Sequence, residues 1–287
     1  MPLNFDWPRF VLVQHVAEVA VTSRMPPANL RRVTLQSGKI LCARGITRSF
    51  ARGLAKHHGG KCAIENIDLD ISSGDVVGIV GQEGAGKTTL LQCLAGLLKR
   101  DAGTVEWFGE LFPGGGCLPG LAYVPPMPVY YPFLTARDVL EYRIAREVTG
   151  RMRHQHIDCC LARLDLAEKS ATKVMELSRD EIKRLSIAEA LSFDPRVILV
   201  DTSYVDIAAA CSEASLRALK NHAENGASVL LAARETHSIA DAVSRVVVLD
   251  EGRVLKSFHA DKEKGEWDGA LFPVSSPGVR FVAERMH

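Results

Sequence analysis

The segment Gly81-Gln82-Glu83-Gly84-Ala85-Gly86-Lys87-Thr88-Thr89 constrains this chain more than any other, because it fits the pattern G-x-x-x-x-G-K-[ST] in full. Before it stands Asp75-Val-Val-Gly-Ile-Val80, a continuous apolar run of the kind that forms a buried parallel strand. After it, Leu90, Leu91, Leu94 and Leu97-Leu98 carry a helix that starts inside the glycine loop. A structural turn that merely happens to contain a lysine has no reason to lie between such a strand and such a helix. In this setting the glycines let backbone amides face phosphate groups, and the helix start adds a favourable dipole. Lys87 is then expected to reach the β- and γ-phosphates of a nucleoside triphosphate, with the Thr88 hydroxyl ligating Mg²⁺.

Such a loop needs a second acidic group for the metal. Asp201 closes the apolar run Val197-Ile-Leu-Val200, which suits an acid at the carboxyl end of a parallel strand near the phosphates. Further short strands are expected at Ile40 to Ala43, Ile67 to Ile71, Thr104 to Phe108, Leu121 to Val124, Val229 to Ala232 and Val246 to Leu249. Loops are expected at Arg52 to Gly60 and around Gly114-Gly115-Gly116, and helices over Ala208 to Ala223 and near Ser238 to Val243. Between Thr135 and Ser192 strand-like alternation disappears and the chain reads as several helices, the first capped by Thr135 with Asp138 three residues on. The pattern predicts an α/β fold: a P-loop NTPase core with a mostly parallel sheet, an antiparallel β edge and a helical subdomain inserted over about 134–193. The core is expected over 39–258, with an N-terminal extension at 1–38 and a polar tail at 259–287.

Composition excludes several classes. A net charge of +1 over 287 residues offers no electrostatic case for nucleic acid or an anionic membrane. The most apolar N-terminal stretch, Phe10 to Val21, is interrupted by Gln14, His15 and Glu18 and is too short to span a bilayer. Seven cysteines without a Cys-x-x-Cys pair read as reduced thiols of a cytoplasmic protein. His154-Gln-His156 lacks a third nearby ligand and reads as a solvated helix surface, and His57-His58 as an exposed loop.

The order of elements resembles an ATP-binding cassette (ABC) ATPase, the motor subunit of ABC transporters, from about Ile40 to Ser257. The resemblance rests on the phosphate loop together with Tyr123-Val-Pro-Pro, Tyr131-Pro-Phe-Leu-Thr135, Glu176-Leu-Ser178, Lys183-Arg184-Leu185, Asp194-Pro-Arg-Val-Ile-Leu-Val-Asp201 and Arg245 to Gly252. It implies Mg-ATP as the cofactor, a head-to-tail dimer with itself or a second ABC ATPase, and an integral-membrane transporter subunit as partner. Phe50 fits the aromatic that stacks on adenine, or else is a plain core aromatic. The cluster Tyr130-Tyr-Pro-Phe133 is either a docking surface for the membrane subunit or core between the subdomains.

The departures from the family pattern carry as much information. Pro126 stands where the family has a metal-sensing Gln, and Leu177-Ser178-Arg179-Asp180-Glu181 replaces the signature Leu-Ser-Gly-Gly-Gln. Thr202 occupies the position of the catalytic Glu, and Arg234 that of the switch His, with His237 three residues on and Asp206 a doubtful match in the dimer-facing loop. A general base contributes roughly 10²- to 10⁴-fold in rate, and neither a threonine hydroxyl nor a guanidinium acts as one near neutral pH. Asp180 and Glu181 would set carboxylates toward the partner's γ-phosphate, with Arg179 offsetting part of the repulsion. These substitutions point to an ABC subunit that binds nucleotide with little or no turnover. Two other readings are a soluble, non-transport ABC scaffold and an active ATPase with an atypical arrangement of Thr202 and Arg234.

Overall fold

The computed structural model describes residues 20–21, 38–50, 61–113, 118–145, 151–202, 212–234, 239, 242–261 and 266–267. The expected loops at Arg52 to Gly60 and Gly114 to Gly116 lie outside these residues, as do Asp206, His237, and most of the extension and tail.

The strands are β1 (Ala20–Val21), β2 (Lys39–Phe50), β3 (Lys61–Ser72), β4 (Val76–Val80), β5 (Ala102–Trp107), β6 (Glu110–Phe112), β7 (Leu121–Val124), β8 (Val197–Asp201), β9 (Ser228–Ala233), β10 (Arg245–Asp250), β11 (Arg253–Asp261) and β12 (Glu266–Trp267). The helices are α1 (Lys87–Leu94), α2 (Ala136–Ile144), α3 (Arg151–Arg163), α4 (Arg179–Leu191) and α5 (Glu213–Glu224). One sheet has the order β1-β7-β8-β9-β4-β10-β11-β12; a second, antiparallel, has the order β3-β2-β5-β6. In the first, β7, β8, β9, β4 and β10 run parallel, flanked by antiparallel β1 on one side and β11 and β12 on the other.

The continuous apolar runs follow from burial of the parallel strands on both faces. On β4, Val77 and Ile79 join a core with α1 and the antiparallel sheet, while Val76 and Val80 join a second core with α2, α3, α4 and α5. Strands β7, β8 and β9 divide in the same way: Val197 and Leu199 face the α1 side, and Ile198 and Val200 the helical side. Alternation therefore places the Asp201 side chain with Val197 and Leu199, on the face that carries α1.

Two boundaries differ from expectation. Strands β2 and β3 are each 12 residues long rather than short, with register shifts along their pairing that blur the two-residue alternation. Helix α1 stops at Leu94, before Leu97-Leu98, because Gly96 adopts φ 75° and the Leu97 amide bonds the Gln92 carbonyl at 3.0 Å. That left-handed closure is a standard helix stop. The expected capping box at Thr135 is present, with reciprocal bonds between Thr135 and Asp138 of 3.1 and 2.9 Å.

Asp70 on β3 ties the antiparallel sheet together through ion pairs to Lys39 at 2.8 Å and Arg44 at 2.5 Å. Burial alone would push its carboxyl up, but the bonds from Arg44 and Lys39 outweigh that and hold it at about 2. A depressed carboxylate stabilises the fold above its unfolded value, and the gain is lost as pH falls from about 4 toward 2. Asp70→Asn is expected to cost about 1–2 kcal/mol at neutral pH and to flatten the acid limb of the stability profile over that window. Urea melts from pH 2 to 7 check this; a parallel offset at every pH would contradict it.

Candidate functional site

The loop between β4 and α1 is shaped by close backbone approaches. A Cβ added to Gly81 would lie 2.1 Å from the Leu249 carbonyl oxygen, and one added to Gly86 2.3 Å from that of Ala63. Gly86 is left-handed, with φ 100°, and is the N-cap of α1 without any side-chain cap. The first helical bond runs from the Leu90 amide to the Gly86 carbonyl at 2.8 Å, so the amides of Lys87, Thr88 and Thr89 have no partner within the helix. Three donors at the positive end of a helix, with the amide of Gly86 beside them, fit an anion.

Lys87 is 3% exposed, and its ammonium donates to the carbonyls of Gly81 at 2.7 Å and Gln82 at 2.8 Å. Burial pushes that ammonium down; Asp201 opposes the shift, Arg234 adds to it and Glu83 opposes it. Asp201 and Arg234 therefore both stand within electrostatic reach of Lys87. Asp201 and Arg234, at or just past the ends of neighbouring β8 and β9, meet the start of α1 at one rim of the sheet. Thr88 is half-buried beside Lys87, while Gln82, Glu83 and Gly84 are exposed and Ala85 is buried. A hydroxyl on α1 and a carboxylate on the α1 face of β8 are hard oxygen donors suited to Mg²⁺.

Phe50 lies at the same end of the molecule. It pairs with Lys61 on β3, two residues before Ala63, whose carbonyl abuts Gly86. It is 42% exposed, with the Arg48 guanidinium 5.1 Å from its ring centroid, so the core-aromatic alternative does not hold. The Tyr130 to Phe133 cluster divides between its two readings. The Tyr130 hydroxyl turns inward and donates to Glu189 at 2.7 Å, whereas Tyr131 and Phe133 stack at 5.6 Å with 63% and 67% of their surfaces exposed.

Thr202, Ser178, Asp180 and Glu181 each bond within the chain. Thr202 is 1% exposed; its hydroxyl donates to the Ala232 carbonyl at 2.5 Å, and its amide donates to the same oxygen at 3.0 Å. Ser178 caps α4 and exchanges a capping box with Glu181, at 2.8 Å from the Ser178 amide and 3.2 Å from the Glu181 amide. The bond from the Ser178 amide is the main cause that holds the Glu181 carboxyl below its ordinary value. Lys169 lies 3.3 Å from Glu181, and Asp180 pairs with Arg184 at 2.8 Å, so neither carboxylate projects freely, contrary to expectation. The i,i+4 spacing of Asp180 and Arg184 was the available signal.

Two neighbours of the site were not foreseen as such. Gly252, with φ 82°, donates to the Ala85 carbonyl at 3.1 Å and accepts from the Glu65 amide at 2.8 Å, anchoring the loop to the β10–β11 turn. Tyr123 on β7 is wholly buried; burial and then the adjacent Asp201 carboxylate push its phenol well up. His154 is exposed as expected, and His156 bonds the Ser192 carbonyl at 2.8 Å. Among the described residues no group of three or more His, Cys, Asp or Glu could hold a metal, and no helix is long and apolar enough to cross a membrane.

Residues 64–204 match the family model described as ABC transporter. The chain is 30% identical over 216 residues to the aliphatic sulfonates import ATP-binding protein SsuB of Corynebacterium glutamicum, covering 73% of this chain and 83% of that protein. It is 25% identical to the SkfA peptide export ATP-binding protein SkfE of Bacillus subtilis, covering 75% and 92% of the two chains. In fold it is similar to the ATP-binding cassette MJ0796, solved as a dimer in a post-hydrolysis state with ADP and Pi. That likeness has a TM-score of 0.65 at 23% identity, over 76% of this chain and 98% of the other.

Proposed function

The chain belongs to the ATP-binding cassette family of ABC transporters, and from that premise we propose that it is a nucleotide-holding subunit with little or no hydrolysis of its own. ATP is held by the amides of 86–89 and by Lys87, with Phe50 against adenine and Thr88 and Asp201 as the residues that hold Mg²⁺. When bound, Mg²⁺ supplies charge neutralisation between the phosphates. Anion binding requires Lys87 to exchange the carbonyls of Gly81 and Gln82 for phosphate oxygens, which an ammonium on a flexible stem can do.

The observation that carries the reading is the Thr202 hydroxyl. At the position where the family places its base, it is buried and spends its proton on Ala232 at 2.5 Å. Its proton is thus committed within the chain, and a threonine hydroxyl does not serve as a general base near neutral pH. Arg234 stands near Lys87 and offers positive charge to a terminal phosphate, but no basic lone pair.

The subunit acts with a partner ATPase and a membrane-embedded transporter subunit, and so at the cytoplasmic face of a membrane. The exposed Tyr131–Phe133 stack supports this, together with the exposed Met127 and Val129 on the same loop and Met175, whose amide bonds the Pro132 carbonyl. The names of the two relatives carry opposite directions, import and export, so the shared features belong to the ATP module rather than to a cargo.

Excess protein mixed with γ-labelled Mg-ATP tests the reading in one time course. Label should stay bound and intact, and Lys87→Ala should weaken binding by about ten- to a hundredfold, as expected for loss of a charge-assisted contact. Steady-state turnover approaching about 1 s⁻¹, abolished in Lys87→Ala, would show a working ATPase instead. Co-purification without any membrane protein would favour a soluble scaffold.

A further inference from the structure

Helix α4 sends a lysine into the core. Lys183 is 2% exposed, and its ammonium donates to the Pro125 carbonyl at 2.6 Å and to the Asp201 carbonyl at 2.7 Å. The reason for a cation there lies in the sheet. Strands β7 and β8 pair in parallel from Leu121 opposite Val197 to Val124 opposite Val200. The next pair would be Pro125 and Asp201, whose closing bond needs an N–H on residue 126; Pro126 has none, so the ladder cannot continue. The Asp201 carbonyl is thereby left without a donor from β7, and the Lys183 ammonium bonds it together with the Pro125 carbonyl. These two bonds fix the backbone position of both strand ends. On its other edge Asp201 is held by pairing with Ala232 on β9.

We infer that Lys183 is a positioning residue for the metal site: it staples the ends of β7 and β8 so that Asp201 is held in register with Thr88 on α1. This rests on the proposed reading of Thr88 and Asp201 as the residues that hold Mg²⁺. The residue makes no use of the anion cradle, so it governs the dependence of nucleotide binding on metal rather than binding itself. The sequence contains the clue. Lys183 falls four residues before Ile187 on the buried face of α4, where an apolar side chain would otherwise stand.

The test is a Mg²⁺ titration of the binding of a fluorescent ATP analogue to the full chain, to Lys183→Met and to Lys183→Gln, each also measured in EDTA. Metal-free binding should agree among the three within about twofold. Lys183→Met, which keeps length and removes both donors, should need about tenfold more Mg²⁺ for half-maximal tightening. Lys183→Gln retains an NH₂ group and should shift the midpoint by only about two- to fivefold. An unchanged Mg²⁺ midpoint in Lys183→Met overturns the inference, as does equal weakening of metal-free and metal-dependent binding in both variants. If Lys183→Met fails to fold, Lys183→Gln decides alone: a shifted midpoint with intact metal-free binding supports the staple, and no shift overturns it. A wild-type chain that binds no ATP analogue, or binds it without regard to Mg²⁺, would refute the site reading itself. Normal wild-type behaviour with indifferent variants would refute only the role of Lys183.

Discussion

Thr202→Glu is expected to raise single-turnover hydrolysis of ATP by about 10²- to 10⁴-fold, the range that a positioned general base contributes. The hydrogen bonding at this position allows the change. The Thr202 amide already donates to the Ala232 carbonyl at 3.0 Å, so removing the hydroxyl's 2.5 Å bond leaves that oxygen satisfied. A glutamate cannot donate to the same carbonyl, and a carboxylate beside it is repelled. The longer side chain is thus directed out of the sheet, toward the rim where Lys87 and Arg234 supply positive charge. Thr202→Gln has a similar shape without a base and should remain at the wild-type rate. Quenched-flow release of labelled phosphate, with protein in excess, is the measurement. Equal rates for Thr202→Glu and Thr202→Gln would overturn the proposed role of position 202 in limiting hydrolysis.

The second large effect is on stability. Gly86→Ala should destabilise the chain by on the order of 2–5 kcal/mol, and Gly84→Ala by only about 1 kcal/mol. Both glycines have positive φ, 100° and 80°, so both substitutions carry the left-handed penalty of an L side chain. They differ in what the new methyl meets. At Gly84 nothing lies within 4 Å; at Gly86 the Ala63 carbonyl oxygen would be 2.3 Å away and the Ile64 methyl 2.7 Å. Strand β3 must then move off the loop, and both the stability of β3 and the anion cradle suffer. Against a typical stability of about 5–15 kcal/mol the loss at Gly86 is severe. Urea denaturation without nucleotide separates the two variants, and equal midpoints would show that β3 does not press on the loop in solution.

Much of the site was readable from short stretches, because the signals are local. The loop glycines, Lys87 and Thr88 are contiguous, and the strand before them and helix after them are marked by their own apolar patterns. Asp201 ends a run whose burial on both faces explains its unbroken hydrophobicity. The capping box at Thr135 needed only a spacing of three. Strand lengths were less legible: β2 and β3 are joined through register shifts, so their apolar residues do not alternate cleanly.

Side-chain commitments were hidden for a different reason. Tyr130, Tyr131 and Phe133 are chemically alike and nearly adjacent, yet only Tyr130 finds a polar partner, because Glu189 lies 59 positions away on α4. Glu181 looks like a free anion in the sequence, whereas the fold brings Lys169 to 3.3 Å from it.

The sequence by itself determined that the chain has a phosphate-binding loop between a buried strand and a helix, and an acid, Asp201, at the end of a second strand with Thr202 after it. These are properties of contiguous residues and of their periodicity. Only the tertiary structure decided where the spare donors and acceptors go: Thr202 into β9, and Lys183 across to Pro125 and Asp201. Hydrogen bonds of this kind join residues far apart in the chain, and burial selects among them because an unpaired polar group in the core costs more than any local preference.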